Sequence, residues 1–368
     1  MSATNRHDGT GVMAAASAQA STEPNLLSVR ELVVEYPGRD KPVRVLHGVT
    51  FDVPAGSTFA VVGESGCGKT TLARALVRLL TPTSGHIHFE GVDLATLSER
   101  EMRRHRRHIQ MIFQDPYGSL DPHMKAANLI GEALRMYHDT PRRQVREKAA
   151  ELMGMVGLNP EAADRRPTEF SGGQRQRIGI ARALAVQPRL LVCDEPTSAL
   201  DVSVQAQVLA LLAELKERLG VTYVFISHNL SVVRQISDVV AVMYLGRIVE
   251  MGPAEELFAV PRHPYTKALI YVVPDPGRAG PTKPRRAVLT GDLPSPADPP
   301  SGCPFRTRCP LAIQKCAEAM PPLAEVRPGH FAACWRTEEV PTWQLHPMRN
   351  LTAASAGVDD PARMEGPA

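Results

Sequence analysis

The chain has 368 residues, 43% of them hydrophobic, which is enough for one large domain and a smaller one around a full apolar core. Its 42 Lys and Arg against 39 Asp and Glu leave a net charge of +3, so charge gives no argument for nucleic-acid binding. No apolar run approaches the roughly 20 residues of a membrane-spanning helix, and the first 26 residues, rich in Ala, Ser and Thr, lack the apolar centre of a signal peptide and are expected to form a disordered tail.

In chain order, Leu32–Val34 and Val49–Val53 read as short strands, and Phe59–Val62 as a buried strand running into a glycine-rich loop. Leu72, Leu76 and Leu79 then recur at helical spacing up to Pro82. Ile87 and Phe89 alternate with His86 and His88, which predicts an edge strand with two exposed, polar histidines. From about residue 97 to 182 the pattern is helical and charged, and Arg103, Arg104, Arg106 and Arg107 read as a solvated helix face. Residues 186–262 return to strand–helix alternation: Leu190–Cys193, a helix through Leu209, Leu212, Leu215 and Leu219, then Thr222–Ile226 and Val239–Val242. That order predicts a parallel sheet with crossover helices. Beyond Pro261 the chain becomes proline-rich, then carries four cysteines, then ends in a second tail expected to be disordered.

Two stretches carry phosphate chemistry. In Gly63-Glu64-Ser65-Gly66-Cys67-Gly68-Lys69-Thr70 the glycines let the backbone curl so that N–H groups point inward, and the following helix adds its positive end. Lys69 supplies a full charge to the β- and γ-phosphates, Thr70 a hydroxyl for Mg²⁺, and Thr71 continues the first helical turn. Leu190-Leu191-Val192-Cys193-Asp194-Glu195 places one carboxylate, Asp194, at a strand end where it can hold Mg²⁺. The next, Glu195, is placed to polarise an attacking water. Between them stands Phe170-Ser171-Gly172-Gly173-Gln174-Arg175-Gln176-Arg177.

Many NTPases have the loop and the acidic strand, but with this middle element the chain resembles the ATP-binding-cassette (ABC) ATPases. The resemblance implies an α/β P-loop cassette with an N-terminal antiparallel part, a parallel core sheet and a helical subdomain. It also implies that Ser171, Gly172, Gly173 and Gln174 meet nucleotide held by a second ATPase subunit. Gln114 resembles the family's Mg²⁺-sensing glutamine, His228 the switch histidine near the γ-phosphate, and Asp201 the loop that crosses the dimer interface. Tyr36 matches the aromatic on which the family stacks adenine; an ordinary strand-end tyrosine is the other reading. Phe170 departs from the more common leucine, while the groups that meet phosphate are intact.

Gln110–Pro122, Ser198–Gln207 and His263-Pro264-Tyr265-Thr266-Lys267-Ala268-Leu269 look like the oligopeptide/dipeptide importer ATPases, closer to the second of their two ATPase subunits. This implies a homologous, different ATPase chain as partner, two transmembrane permeases, a substrate-binding protein acting indirectly, and no nucleic acid. The expected place is the cytoplasmic face of the cell membrane. An importer of another small solute such as nickel, or a soluble non-transport cassette ATPase, are the alternatives. The expected division is a tail to residue 26, a cassette over 27–262, an extension with the cysteines over 263–340, and a tail over 341–368.

Cys303, Cys309, Cys316 and Cys334 lie within 32 residues of a chain with six cysteines. Cys303 and Cys309 are each followed by Pro, as at some iron–sulfur ligands, and the Cys-x-x-Cys knuckles of structural zinc sites are absent. The resemblance favours a 4Fe–4S cluster; zinc comes next and four independent thiols last. His263 reads as structural. Cys67, inside the phosphate loop, has two readings: a thiolate favoured by Lys69 and the loop amides, reactive and shielded by nucleotide, or a small buried residue filling space.

Overall fold

The computed structural model describes residues 25–38, 41–115, 118–138, 140–272 and 291–342. The expected tails over 1–24 and 343–368, and prolines 274, 276, 281 and 284, lie outside the described residues. Asn25 and Leu26, expected in the tail, instead open the first strand.

β1 (Asn25–Tyr36) and β2 (Val43–Pro54) form an antiparallel pair. A register shift between Val29 and Leu32 resets the alternation, so that Leu27 and Val29 and then Leu32 and Val34 all point into the core. β3 (Thr58–Val62) is buried along its whole length, as a central parallel strand requires. It delivers the chain into the glycine-rich loop and α1 (Lys69–Leu76). Leu72 and Leu76 are buried as their spacing predicts, but the helix stops at Leu76 instead of running to Pro82. Arg78 takes a positive φ of 54°, and Leu79 is left 54% exposed.

β4 (Ser84–Phe89) and β5 (Val92–Asp93) complete a four-stranded antiparallel sheet in the order β2-β1-β4-β5. The expected edge strand is therefore interior: β4 is flanked by β1 on one side and the two-residue β5 on the other. His86 bonds to Asp93 through Nδ1 at 2.7 Å and remains exposed.

α2 (Glu99–Arg106) is closed at its start by a Ser98/Glu101 capping box, and β6 (Ile109–Ile112) follows. α3 (Ala126–His138), α4 (Arg142–Met155) and α5 (Gly172–Leu184) then pack on one another. The helical stretch read from 97 to 182 is thus interrupted by a strand that joins the core sheet. β7 (Leu190–Asp194), α6 (Val202–Leu219), β8 (Thr222–Ser227), α7 (Leu230–Ile236), β9 (Val239–Tyr244) and β10 (Arg247–Pro253) continue the alternation. α8 (Ala254–Ala259), α9 (Pro264–Val272), α10 (Lys315–Glu318), β11 (Ala324–Arg327) and β12 (His330–Ala332) end the described chain.

The core sheet runs β11-β12-β10-β9-β3-β8-β7-β6, parallel from β9 to β6. One apolar layer lies between this sheet and the antiparallel sheet around α1; the other joins its opposite face to the helices. Phe170 is 5% exposed and packs in the second layer, so the departure from leucine is a core substitution. The cysteine-bearing extension is not a loose appendage. β12 pairs antiparallel with β10, aligning Glu250 with Ala332. The fully buried Glu250 carboxylate accepts N–H groups from Arg262 at 2.6 Å and His263 at 2.9 Å and lies 2.8 Å from His330 Nε2. A buried carboxylate needs such partners, and these three join the core sheet to the extension.

Candidate functional site

The loop between β3 and α1 is held from several sides. A Cβ at Gly63 would run into the Met243 carbonyl oxygen, so the strand end accepts no side chain there. Gly68, the residue before α1, has φ 106°, which glycine alone adopts without strain. The Cys67 carbonyl accepts the Gly246 N–H at 2.8 Å, bracing the loop on the β9–β10 turn. Ser65 and Gly66 are exposed at the crest. The first turn of α1 contains Lys69, Thr70 and Thr71 and no acidic residue, so its N–H groups are open to an anion. Lys69, 5% exposed, donates from Nζ to the carbonyls of Gly63 at 2.8 Å and Glu64 at 3.0 Å, which aims the ammonium across the loop.

Parallel pairing of β3, β8 and β7 brings their C-terminal ends to the same edge, and the acidic pair meets the loop there. Asp194 is buried, and Thr70 Oγ1 donates to its Oδ1 at 3.3 Å. Burial pushes the Asp194 carboxyl up, opposed by the Thr70 hydroxyl. Glu195 takes a positive φ of 46°, a strained conformation for a side chain with a Cβ, and is pinned by its N–H to the Ile226 carbonyl at 2.9 Å. Its carboxylate is the hub of the site. Gln114 Nε2 donates to Oε2 at 3.0 Å, His228 Nδ1 lies 3.0 Å from Oε1, and Lys69 Nζ lies 4.0 Å from Oε1. Residues from four distant parts of the sequence thus converge on one carboxylate beside an anion-binding loop. The Thr70 and Asp194 oxygens form a hard-oxygen set that fits Mg²⁺.

Other candidate residues stand apart from this hub. Ser171 is the N-cap of α5: it accepts from the Gln174 N–H at 3.3 Å, and Gln174 Oε1 accepts from the Ser171 N–H at 2.9 Å. Gly172 lies next to Leu200, and a Cβ on Gly173 would collide with Val204, so the α5 start is fitted against the α6 start. Asp201 is the exposed N-cap position of α6 and makes no side-chain cap bond. Tyr36 is half-buried at the end of β1, paired with Val43.

Cys67 contradicts the reactive-thiolate expectation. It is 1% exposed, and burial raises its thiol; the opposing effect of Lys69 is the smaller one. The loop turns the side chain inward under Gly63, where it fills space below the end of β3.

The four extension cysteines are free; Cys303 and Cys316 are buried, and Cys309 and Cys334 are partly so. Burial pushes Cys309 up to about 12 and Cys334 up to about 11. Backbone N–H groups of Phe305 and Arg306 face Cys303, that of Leu311 faces Cys309, and that of Arg336 donates to Cys334 Sγ at 3.3 Å. Such N–H groups accompany ligand sulfurs in metal centres. Among the described residues, however, no three His, Cys, Asp or Glu are spaced to hold a metal ion.

The extension also reaches the phosphate loop itself. Arg308 forms a bidentate pair with Glu64, at 2.8 and 3.0 Å, and Tyr265 Oη accepts the Glu64 N–H at 2.9 Å. The partners are 244 and 201 residues apart, and no local pattern marks such a pairing. Tyr265 had a weak signal in the His-Pro-Tyr-Thr wording.

The fold and the convergent site define a P-loop ATPase of the cassette type. The ABC transporter family model matches residues 46–198, and the model for the oligopeptide/dipeptide transporter C-terminal region matches residues 249–316. A putative peptide import ATP-binding protein of Brucella ovis is 53% identical over 315 residues, covering 86% of this chain and 99% of that protein. The oligopeptide transport ATP-binding protein AppF of Bacillus subtilis is 48% identical over 323 residues, covering 86% and 98%. A dimeric ATP-binding cassette solved in a post-hydrolysis state with ADP and Pi superposes with a TM-score of 0.58 at 27% identity, covering 62% of this chain and 98% of that one. The chain belongs to the ABC transporter ATPases, in the branch that carries the oligopeptide/dipeptide C-terminal region. Among the described residues no helix is long and apolar enough to cross a membrane.

Proposed function

We propose that this chain is the ATP-hydrolysing, energy-coupling subunit of a dipeptide or oligopeptide importer, acting at the cytoplasmic face of the membrane. The observation that carries the reading is the union, in one chain joined through β10–β12 pairing, of the Glu195-centred site and a peptide-transporter C-terminal region. The names of its relatives point the same way.

In this reading the Gly63–Thr71 loop holds the phosphates, with Lys69 on the β- and γ-oxygens. Tyr36 takes the adenine. Thr70 and Asp194, with Gln114 nearby, would hold Mg²⁺, which when bound neutralises phosphate charge and orients the terminal phosphoryl group. Glu195 accepts a hydrogen bond from the attacking water and aligns it, while Gln114 and His228 hold its two carboxylate oxygens. Lys69 stabilises the charge that develops on the leaving oxygens. Ser171, Gly172, Gly173 and Gln174 would meet the ATP of a second, homologous ATPase subunit, with Asp201 at the shared interface. Closure of that pair would drive two permease subunits fed by a substrate-binding protein.

The domain reading follows: a cassette over 27–262 and an extension over 263–340. Cys303, Cys309, Cys316 and Cys334 would hold a 4Fe–4S cluster, or zinc as the runner-up, giving the extension a covalent core. The N–H groups facing three sulfurs support this.

Purification of the intact complex tests the function. The reading expects two permeases and a second ATPase chain to copurify, and ATP-dependent peptide uptake in vesicles. Uptake of nickel or another small solute alone, or a chain that binds no permease, would overturn it. Iron and sulfide analysis of anaerobic material tests the cluster, with about four of each expected per chain and stoichiometric zinc without iron favouring the runner-up.

A further inference from the structure

An anion-binding loop that contains its own carboxylate has an electrostatic problem. Glu64 is the second residue of the phosphate loop, and its negative charge opposes every phosphate the loop accepts. The structure answers this from the far end of the chain. Arg308 grips the Glu64 carboxylate with both guanidinium nitrogens. Its side chain is 6% exposed and that of Glu64 26%, so the pair is sheltered from solvent screening. Arg308 also lies over the Tyr244 ring, 5.9 Å from its centre. The Glu64 backbone is fixed in the same place, its N–H bonded to Tyr265 Oη. Tyr265 stands edge-on to Tyr244, with ring centres 4.8 Å apart, and Phe305 closes the aromatic cluster at 5.4 Å from Tyr265. Leu293, also from the extension, lies beside Gly66 at the loop crest.

We propose that Arg308 is a positioning residue of the nucleotide site, which cancels the Glu64 charge inside the phosphate loop and so makes ATP affinity depend on a docked C-terminal extension. The inference rests on the reading that the loop binds ATP. It adds that the extension is an electrostatic part of that site, and that the tyrosine of the His-Pro-Tyr-Thr element is there to fix the loop backbone. A lost Arg308 would leave a carboxylate in the loop with an uncompensated charge; at an effective dielectric near 20, one unit charge about 12 Å from a phosphate charge amounts to roughly a tenfold change in binding.

The test is a double-mutant cycle on the full-length chain, reading the dissociation constant of a fluorescent ATP analogue in the presence of Mg²⁺. Arg308→Gln should weaken binding roughly tenfold. The same change made in a Glu64→Gln background should cost almost nothing, because no charge is left to cancel. Arg308→Lys keeps the charge but gives up the bidentate grip and the ring contact, and should fall between wild type and Arg308→Gln; it serves as the second variant should Arg308→Gln fail to fold. An equal loss with and without Glu64 would mean that Arg308 only anchors the extension, and would overturn the proposal. So would unchanged binding in Arg308→Gln, or a loss in Arg308→Lys as large as that in Arg308→Gln. Wild-type chain that binds no nucleotide would instead overturn the ATP reading itself, so the two failures are distinguishable.

Discussion

His228 Nδ1 lies 3.0 Å from Glu195 Oε1, on the opposite side of the carboxylate from the Gln114 amide at Oε2. A carboxylate held at both oxygens cannot rotate freely, and the lone pairs it keeps have a fixed direction. His228→Ala releases one side. The expected outcome is a turnover roughly 10²-fold lower, within the usual range for a misaligned general base, with ATP affinity changed by less. Steady-state ATPase assays with parallel nucleotide titration check this. Turnover within twofold of wild type would show that the imidazole contact has no catalytic consequence.

Cys67 gives a chemical test of how the loop packs. With its sulfur turned inward and its thiol raised by burial, the native chain should react with a maleimide at Cys67 only as fast as it locally opens. Intact-mass and peptide mapping should find that site unmodified under conditions that label an unfolded control. Rapid labelling of Cys67 that Mg-ATP blocks would restore the reactive-thiolate expectation.

Histidine burial sets an acid limit on stability. His263 is 1% exposed and accepts the Tyr265 N–H through Nδ1 at 3.1 Å; burial lowers its pKa to about 3. His47 is lowered to about 4 by burial and by Arg247 and Arg44. Both stay neutral in the fold, whereas the unfolded chain protonates them below about pH 6.5. Their contribution is complete above that pH and is lost as pH falls toward the folded values. A fully buried histidine costs about 1.4 kcal/mol per pH unit in that window, and the half-buried His47 less. Thermal melts should show a drop between pH 7 and pH 5. His263→Gln should start lower at pH 7 yet fall less, and an unchanged drop would remove His263 as a source.

The chemistry of the site was legible because it is written locally. Gly63–Thr70 and Leu190–Glu195 each contain their function within a few residues, and β3 and β7 are apolar runs that fit a buried parallel sheet and nothing exposed. Gln114 and His228 could be placed only by resemblance, since their meeting at Glu195 depends on how β6, β7 and β8 align. The helix end at Leu76 was missed because Leu79 fits the periodicity, whereas the backbone reversal at Arg78 decides the boundary. β4 was misplaced at an edge because its neighbour β5 has only two residues and leaves no pattern. Cys67 was open because loop electrostatics and burial push its thiol in opposite directions, and only the packing shows that burial is the larger. Arg308 and Glu64 were invisible as a pair, since their contact is purely tertiary.

If Glu195 aligns the attacking water on ATP held by the Gly63–Thr71 loop, Glu195→Gln removes that alignment alone. The substitution keeps the shape and the contact with Gln114 while removing the charge that accepts the water proton. In the assembled complex it should retain ATP binding and hold unhydrolysed nucleotide in a closed ATPase pair, with turnover lower by roughly 10³-fold. Near-normal hydrolysis by the Glu195→Gln complex would contradict the account.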